Sequence, residues 1–366
     1  MKKKLIIFMP SIEGGGVEKN LFIVSNYLTK KINNIALITI SKKYRSKFDK
    51  SIEFISLKSE MWDKQSRRFK YFLSLYLLFK EMLKNKNLLV FAFQANIYCI
   101  ILCKIFKIRI IVRSNSAPIG WSQNPAKIFL LKFFLNKADK VMVNSFEFKK
   151  SLKKRFNVNA ICIYNPLNKF EILKRSKIRS KKYFLTNKKI KILNIGRYVD
   201  QKDQETLIRA LNEIKEKINF ETIIVGKGIL KKKMLTLISK FKMHKMIKLK
   251  NFMENPYPIL KQSELFILTS KFEGLPNVLL ESIVLEKDII SSDCETGPKE
   301  ILDDGKGGTL FKTSDHKDLA KKILLYSKNK KKYKIKNKFA YKRLKRFDYN
   351  YNLNKYFKLV SKEFNF

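Results

Sequence analysis

The stretch ELFILTSKFEGLPNVLLES, residues 264–282, contains a buried strand, a loop and the start of a helix. Pro276 suits the first helical position, where its missing N–H costs nothing. Glu273 is therefore predicted in the loop at the carboxyl end of the strand, and Glu281 about a turn and a half into the helix. Backbone amides near Asn277 and Val278 stay unpaired at a helix start. This unit thus offers two carboxylates and a set of amide donors to one ligand.

Similar strand and helix units occupy almost the whole chain. Short β-branched runs such as KLIIFMP (4–10) and KILNI (191–195) alternate with longer amphipathic segments. Alternation of this kind predicts an α/β protein with parallel sheets wrapped by helices. The rhythm is interrupted once by a polar, basic stretch, which divides the chain into segments. These are a first doubly wound domain at 1–167, a linker at 168–188, a second such domain at 189–346 and a last amphipathic helix at 347–366.

Composition limits the possible functions. The 366 residues include 79 Lys plus Arg against 31 Asp plus Glu, a formal net charge of +48. Basic residues are spread along the chain without a single stripe, which favours an anionic membrane or a phosphate-bearing substrate over nucleic acid. The four cysteines have no paired spacing, and neither histidine has metal-ligand spacing. The apolar N-terminus is short, so it predicts a first strand, and the protein is expected to be cytosolic without a transmembrane span.

Two further motifs follow predicted strands. GGGVEK (14–19) comes directly after the first strand, where glycines let backbone N–H groups approach a phosphate. A tight turn without a ligand is the alternative. In NIGRYVDQKD (194–203), Arg197 and Lys202 lie around the loop that follows another strand. Two cations at a strand end suit a diphosphate, although solvated surface cations would give the same pattern.

The two glutamates also allow simpler explanations. Glu273 can act as a favourable charge near a helix N-terminus while Glu281 is a solvated helix residue. The two could instead form a glycosidase pair, but no opposing sugar cleft is evident in this architecture. Two facing doubly wound domains place their strand-end loops on one cleft, which favours a shared ligand.

Together, GGVE (15–18), GRYVDQK (196–202), EGLPNVLLE (273–281) and GPKEIL (297–302) resemble the family 4 glycosyltransferases of the GT-B fold, whose hallmark is Glu-x7-Glu. The resemblance covers essentially the whole chain and is strongest from 192 to 311. It implies two Rossmann-like domains facing a central cleft, with the last helix returning to the first domain. It also implies retaining, metal-independent transfer of a hexose or N-acetylhexosamine from a UDP- or GDP-sugar to a glycan acceptor.

The resemblance assigns roles to residues. Arg197 and Lys202 would hold the donor diphosphate and stabilise the charge that develops as it leaves. Glu273 would contact the transferred sugar and Glu281 the ribose. The residues implied in donor binding are Gly15, Gly16, Gly196, Gly226, Gly274, Leu275, Asn277, Val278 and Glu281. No cofactor is implied, and the leaving phosphate oxygen would help to deprotonate the acceptor.

Some positions depart from the family pattern. The nucleotide-side loop is GKG (226–228), with Lys227 where an acidic residue is usual, and Asn251 replaces a glycine. A histidine often found near the donor sugar has no clear counterpart, and RSNSAP (113–118) occupies that region, where Arg113 and Asn115 are candidates for part of its role. The donor sugar therefore stays open.

Two segments of the first domain, 62–86 and 126–140, combine aromatic and leucine residues with basic flanks. They are either interfacial helices on an anionic membrane or core helices with solvated ends. The membrane alternative would suit a lipid-linked acceptor. The rival functions are a GT-B nucleotide-sugar epimerase, disfavoured by the shortage of histidines, and a basic nucleic-acid-binding protein.

Overall fold

The structure is a computed structural model that describes residues 3–115, 117–122, 124–186 and 188–364. They form two compact units. One contains the residues up to Pro166 together with those from Tyr349 onward, and the other extends from Leu167 to Asp348.

The first unit is a parallel sheet with helices on both faces. Its strands are arranged in the order β3-β2-β1-β4-β5-β6-β7. Their bounds are β1 (Lys4–Phe8), β2 (Ile35–Ile38), β3 (Glu53–Ile55), β4 (Leu88–Ala92), β5 (Arg109–Arg113), β6 (Lys140–Val143) and β7 (Ala160–Cys162). The helices of this part of the chain are α1 (Gly16–Leu28), α2 (Arg67–Lys84), α3 (Asn96–Ile105), α4 (Pro125–Lys137) and α5 (Phe146–Phe156). Continuous apolar strands such as β4, buried throughout, explain why both faces are covered.

The second unit repeats this architecture with strand order β10-β9-β8-β11-β12-β13. Its strands are β8 (Ile190–Ile195), β9 (Phe220–Val225), β10 (Ile247–Lys250), β11 (Leu265–Leu268), β12 (Asp288–Ser292) and β13 (Thr309–Phe311). Its helices are α6 (Lys169–Ser176), α7 (Gln204–Ile214), α8 (Lys231–Lys240), α9 (Tyr257–Gln262), α10 (Asn277–Val284), α11 (Pro298–Ile301), α12 (His316–Lys328) and α13 (Lys330–Arg343). The predicted α/β class with two doubly wound parallel sheets is confirmed.

The last helix, α14 (Tyr349–Phe364), belongs to the first unit. Its apolar side packs on the face of the first sheet that also carries α1, where Leu353, Tyr356 and Val360 are fully buried. The Arg109 guanidinium donates to the Glu363 carbonyl at 3.0 Å. Aliphatic residues of α2, α3 and α5 cover the opposite face of the sheet.

The structure differs from the sequence-based expectation at two boundaries. Residues 168–188, expected to be a linker, lie in the second unit and begin with α6, which packs against α9 and α10. The buried Ile172 of α6 was hidden among basic neighbours that gave the segment its polar appearance. Pro276 is the residue before α10 rather than its first helical residue, because its ψ of 103° is extended.

One buried carboxyl group lies far from the predicted motifs. Asp288 begins β12 and is 7% exposed. Burial raises its pKa to about 6, although a hydrogen bond from Tyr326 and the charges of Lys334, Lys287 and Lys330 oppose the shift.

Candidate active site

The predicted motifs lie where the strand order of each sheet reverses. In the second sheet, β8 and β11 are neighbours, but the chain leaves them toward opposite edges. The loop with Arg197 and Lys202 follows β8, and the loop with Glu273 follows β11. Ligands of doubly wound sheets bind in the crevice at the carboxyl ends of such a strand pair. In the first sheet the same position, between β1 and β4, is next to the glycine loop at 14–16.

Lys202 and Glu273, 71 positions apart in the chain, form a hydrogen-bonded ion pair. The Lys202 side chain is 17% exposed and that of Glu273 is 9% exposed. The same carboxylate oxygen also accepts a hydrogen bond from the Ser270 hydroxyl at 2.7 Å. Glu273 is therefore held in one orientation by a cation and a hydroxyl. A diphosphate or a sugar hydroxyl that enters would compete for these contacts.

Backbone and side-chain hydrogen bonds tie the two loops together. The Lys271 amide donates to the Gln201 carbonyl at 2.8 Å, and the Gln201 amide group donates to the Phe272 carbonyl at 2.9 Å. The Thr269 hydroxyl donates to the Lys202 carbonyl at 2.8 Å. These contacts hold the short 3₁₀ turn Asp200–Lys202 against the loop after β11. The position of the Lys202 ammonium is thus set by the backbone on both sides.

Arg197 is exposed and makes one side-chain contact, a 3.2 Å hydrogen bond from its guanidinium to Gln201. Its carbonyl accepts from the buried Gln204 side chain at 3.0 Å, which fixes the backbone and leaves the side chain near solvent. Gly196 lies beneath the Lys202 side chain, because a Cβ there would lie 3.3 Å from Lys202 Cγ. The structure thus brings together Gly196, Lys202 and Glu273, with Arg197 at the solvent side of the same loop.

Close backbone packing requires a glycine at position 226, and its contact with the donor stays a prediction. A Cβ at this position would lie 1.9 Å from the Gly196 carbonyl oxygen and 2.9 Å from Tyr198 Cε1. Gly228, at a positive φ of 153°, is packed as tightly on the Tyr198 backbone. Tyr198 is fully buried, and its hydroxyl lies 2.9 Å from the Ile224 carbonyl oxygen. The GKG loop therefore packs around the tyrosine of the GRY motif.

Glu281 lies on α10, 7% exposed, and accepts a 3.3 Å hydrogen bond from the Tyr257 hydroxyl. The guanidinium carbon of Arg175 lies over the Tyr257 ring, 5.3 Å from the ring centre. The first turn of α10 has no acidic residue, and Pro276, the residue before it, makes no side-chain cap hydrogen bond. The dipole end of this helix is therefore electrostatically suited to an anion.

The segment after β12 supports the same loop from the other side. The Thr296 hydroxyl donates to the Glu273 carbonyl, and a Cβ on Gly297 would lie 2.6 Å from the Gly274 carbonyl oxygen. Gly297 has a positive φ of 90°, so a side chain there would be strained as well as crowded. Burial, followed by the Glu273 charge, raises the pKa of the nearby Cys294 thiol to about 12. Cys294 is thus a neutral packing group.

In the first unit, an internal carboxylate already lies at the glycine loop. Glu18 of α1 is 7% exposed and accepts a 3.4 Å hydrogen bond from the Glu13 amide. A Cβ on Gly15 would lie 2.9 Å from a Glu18 carboxylate oxygen. A phosphate that approached Gly15 and Gly16 would meet this negative charge unless Glu18 moved. The contact of Gly15 and Gly16 with the donor stays a prediction.

Arg113, a candidate near the donor sugar, is 1% exposed. Its three guanidinium nitrogens donate to Asn115, to Asn165 at 2.8 Å and to the Tyr356 hydroxyl at 3.3 Å. Arg113 therefore links β5 to α14 and to Asn165, which lies just before this part of the first unit ends at Pro166. Each guanidinium nitrogen of Arg113 thus has a partner within the protein. Ser116 of the same motif lies outside the described residues.

Sequence reasoning missed several supporting residues. Ser270 and Gln201 adjoin recognised motifs, so their positions were available to inspection. Tyr257 and Thr296 had no such signal, because their partners are set by packing between elements. The described part of the chain contains no group of three or more His, Cys, Asp or Glu residues that could hold a metal ion.

Comparison with known proteins identifies relatives of the second unit. Residues 175–343 match the sequence family described as glycosyl transferases group 1. An uncharacterized glycosyltransferase of Methanocaldococcus jannaschii is 33% identical over 221 residues, which cover 56% of this chain and 53% of that protein. The chain thus spans about half the length of that relative.

A second relative extends over nearly the full length. It is the N-acetylgalactosamine-N,N'-diacetylbacillosaminyl-diphospho-undecaprenol 4-alpha-N-acetylgalactosaminyltransferase of Campylobacter jejuni, 27% identical over 92% of this chain and 94% of that protein. The crystal structure of Anabaena HepE in complex with UDP-glucose is similar with a TM-score of 0.78 and 15% identity, over 99% of this chain and 100% of that one. The predicted GT-B fold is confirmed. The predicted group 1 glycosyltransferase family is matched over residues 175–343.

Proposed function

We propose that this group 1 glycosyltransferase transfers a hexose or N-acetylhexosamine, with retention of anomeric configuration, from a UDP- or GDP-sugar to a growing glycan. The observation that carries the proposal is the meeting of Lys202 and Glu273 at the ends of β8 and β11. The Campylobacter relative acts on a diphospho-undecaprenol substrate by its name, which supports a lipid-linked acceptor here. HepE binds UDP-glucose, which makes UDP-sugars the first donors to test.

In this proposal the donor diphosphate binds between the Arg197 guanidinium and the Lys202 ammonium. The bond between the sugar C1 and the diphosphate oxygen breaks, and negative charge grows on that oxygen. Lys202, whose backbone is fixed by contacts between the two loops, stabilises this charge. A new bond forms from C1 to the acceptor oxygen on the same face, and the acceptor proton passes to the leaving phosphate oxygen.

Glu273 and Glu281 would bind at opposite ends of the donor. Glu273 is close to Lys202 and Ser270, so hydroxyls of the transferred sugar would be its partners. Glu281, held by Tyr257, would accept from the ribose hydroxyls. Charge on the leaving group would be neutralised by side chains and by the N-terminus of α10, so transfer is proposed to need no metal.

The first experiment measures thermal shifts with a set of nucleotide sugars, then transfer with those that stabilise the protein. Ligand binding to the folded state raises the melting temperature in proportion to the logarithm of its concentration above Kd. Lys202→Ala and Glu273→Ala should lose transfer while remaining folded. Lys217→Ala and Glu216→Ala, which remove the same charges from exposed positions in the turn after α7, serve as matched controls.

Unchanged turnover in both site variants would refute the proposal. Binding of duplex nucleic acid that displaces no nucleotide sugar would favour the rival basic binding protein. Interconversion of the free nucleotide sugar without transfer would favour an epimerase. Full turnover in excess EDTA is expected, and its loss with recovery on adding Mg²⁺ would refute metal independence.

A further inference from the structure

Helix α2 presents an apolar stripe to solvent. Its buried face points to the sheet through residues such as Leu78 and Met82. The outward residues are Phe69, Phe72, Tyr76, Phe79 and Leu83, exposed by 40, 69, 46, 37 and 60%. At about 100° per residue they cover an arc of roughly 80° and extend about 21 Å along the helix. Helix α2 therefore has two apolar faces, and packing within this unit buries one of them.

The neighbouring helices extend this surface. Helix α3 packs against both α2 and α4. It exposes Tyr98 by 57% and Ile105 by 69%, and α4 exposes Phe129, Leu130 and Phe133 by 66, 50 and 48%. Of the 24 large apolar side chains exposed among the described residues, ten thus lie on these three adjacent helices. Such a concentration marks an interaction surface rather than scattered surface residues.

Basic residues border the stripe. Helices α2, α3 and α4 together carry nine Lys or Arg residues and one acidic residue, Glu81, which is buried and paired with Lys4. On α2, Arg68 and Lys80 lie on opposite sides of the stripe by the helical repeat. The Lys80 ammonium lies 4.7 Å from the centre of the Tyr76 ring, and that of Lys137 lies 5.4 Å from the Phe133 ring. Cations thus lie directly beside the exposed rings.

We propose that the outer face of α2, α3 and α4, here called the apolar–basic face, docks on an anionic lipid bilayer. An apolar stripe bordered by cations matches the acyl boundary and the charged headgroups of such a membrane. A second copy of this chain fits poorly, because the cations that border the two apolar stripes would repel each other. Within the described residues no helix is long and apolar enough to cross a membrane, so the contact lies in the interface plane.

The docking surface would support the proposed reaction. Helix α2 follows β3, so its N-terminus lies at the carboxyl edge of the first sheet, where ligands of such sheets bind. Met61, exposed by 58%, and Trp62, stacked on Phe69 at 5.8 Å, extend the apolar stripe to that edge. A bilayer against this face would bring lipid-linked groups to the same edge.

The test is co-sedimentation of the full chain with vesicles of phosphatidylcholine alone or with 30% phosphatidylglycerol. No sugar donor is present, so the outcome is independent of the proposed transfer. The apolar variant is Phe72→Ser/Tyr76→Ser/Leu83→Ser. Its matched control in the second unit is Phe170→Ser/Leu235→Ser/Ile335→Ser, at sites exposed by 75, 46 and 69%. Because all six positions are exposed, both proteins should fold, as circular dichroism will report.

The charge variant tests the basic border separately. It is Lys80→Gln/Lys127→Gln/Lys132→Gln, and its control is Lys331→Gln/Lys338→Gln/Lys342→Gln on exposed positions of α13. Each cation near an anionic leaflet strengthens binding about fivefold, so the charge variant should bind about 100-fold more weakly. The apolar variant should lose at least about tenfold.

The expected result is binding that requires phosphatidylglycerol and depends on the apolar–basic face but not on either control. Equal losses in the charge variant and its α13 control would show that net charge alone drives binding, and would overturn the proposal. Absence of vesicle binding would also overturn the proposal. A dimer that forms without vesicle binding and that the apolar variant abolishes would overturn it as well.

Discussion

The pairing of Lys202 with Glu273 allows their roles in stability and in catalysis to be separated by a second substitution. The Glu273 carboxylate, 9% exposed, accepts hydrogen bonds from Lys202 and Ser270. Lys202→Met removes the charged donor and leaves the Ser270 hydroxyl. Removing one partner of a fully buried pair costs about 3–5 kcal/mol. Because Lys202 is still 17% exposed, we expect a loss of about 2–3 kcal/mol in the free energy of unfolding.

Glu273→Gln combined with Lys202→Met removes both charges. The neutral amide oxygen still accepts from Ser270, so the double variant should lie within about 1 kcal/mol of the wild type. The single Glu273→Gln variant completes the cycle and should lose about 1 kcal/mol with its charge-assisted hydrogen bond, so the interaction energy is about 2–3 kcal/mol. Catalysis should not recover, because the cation that stabilises the leaving diphosphate is absent. We expect kcat to fall by about 10²–10³ in both Lys202→Met proteins.

The assay pairs urea unfolding, followed by circular dichroism, with release of nucleoside diphosphate under saturating donor. Lys217→Met removes an exposed cation in the turn after α7 and should change neither measurement. Recovery of wild-type turnover in the double variant would show that Lys202 acts only by neutralising Glu273. That result would refute the assignment of Lys202 to the leaving group.

Three further predictions concern the supporting residues. Gly226→Ala forces a methyl group to 1.9 Å from the Gly196 carbonyl oxygen, so unfolding of the second unit should become easier by about 2–4 kcal/mol in a urea titration. Tyr257→Phe removes a hydrogen bond to Glu281 and should raise the donor KM roughly tenfold with little change in kcat, whereas an unchanged KM would argue against a ribose contact. Asp288→Asn should become more stable relative to wild type as pH rises from 3.8 through about 6, because over this window the carboxyl of the unfolded wild type ionises while the buried carboxyl, with its raised pKa, still holds its proton. Melting temperatures of both proteins at pH 5 and 7.5 test it, and an equal difference at the two values would contradict it.

The motifs of the proposed site were visible in the sequence because each is local. Arg197 and Lys202 lie five positions apart in one loop, and Glu273 and Glu281 flank one helix start. The span of α7 was equally readable, since its apolar residues recur with the helical period. The boundary near 168 was misread because α6 is short and mostly basic on its outer face, so its few buried side chains gave little signal.

The amino-acid sequence alone determined the fold class and the loops of the proposed site, since strand and helix periodicity and turn residues act over a few neighbouring positions. Only the tertiary structure decided which strands are neighbours. That order placed β8 beside β11 and so paired Lys202 with Glu273 across 71 residues. It also decided which side of α2 the core covers, because two apolar faces on one helix are equivalent until a sheet packs against one of them.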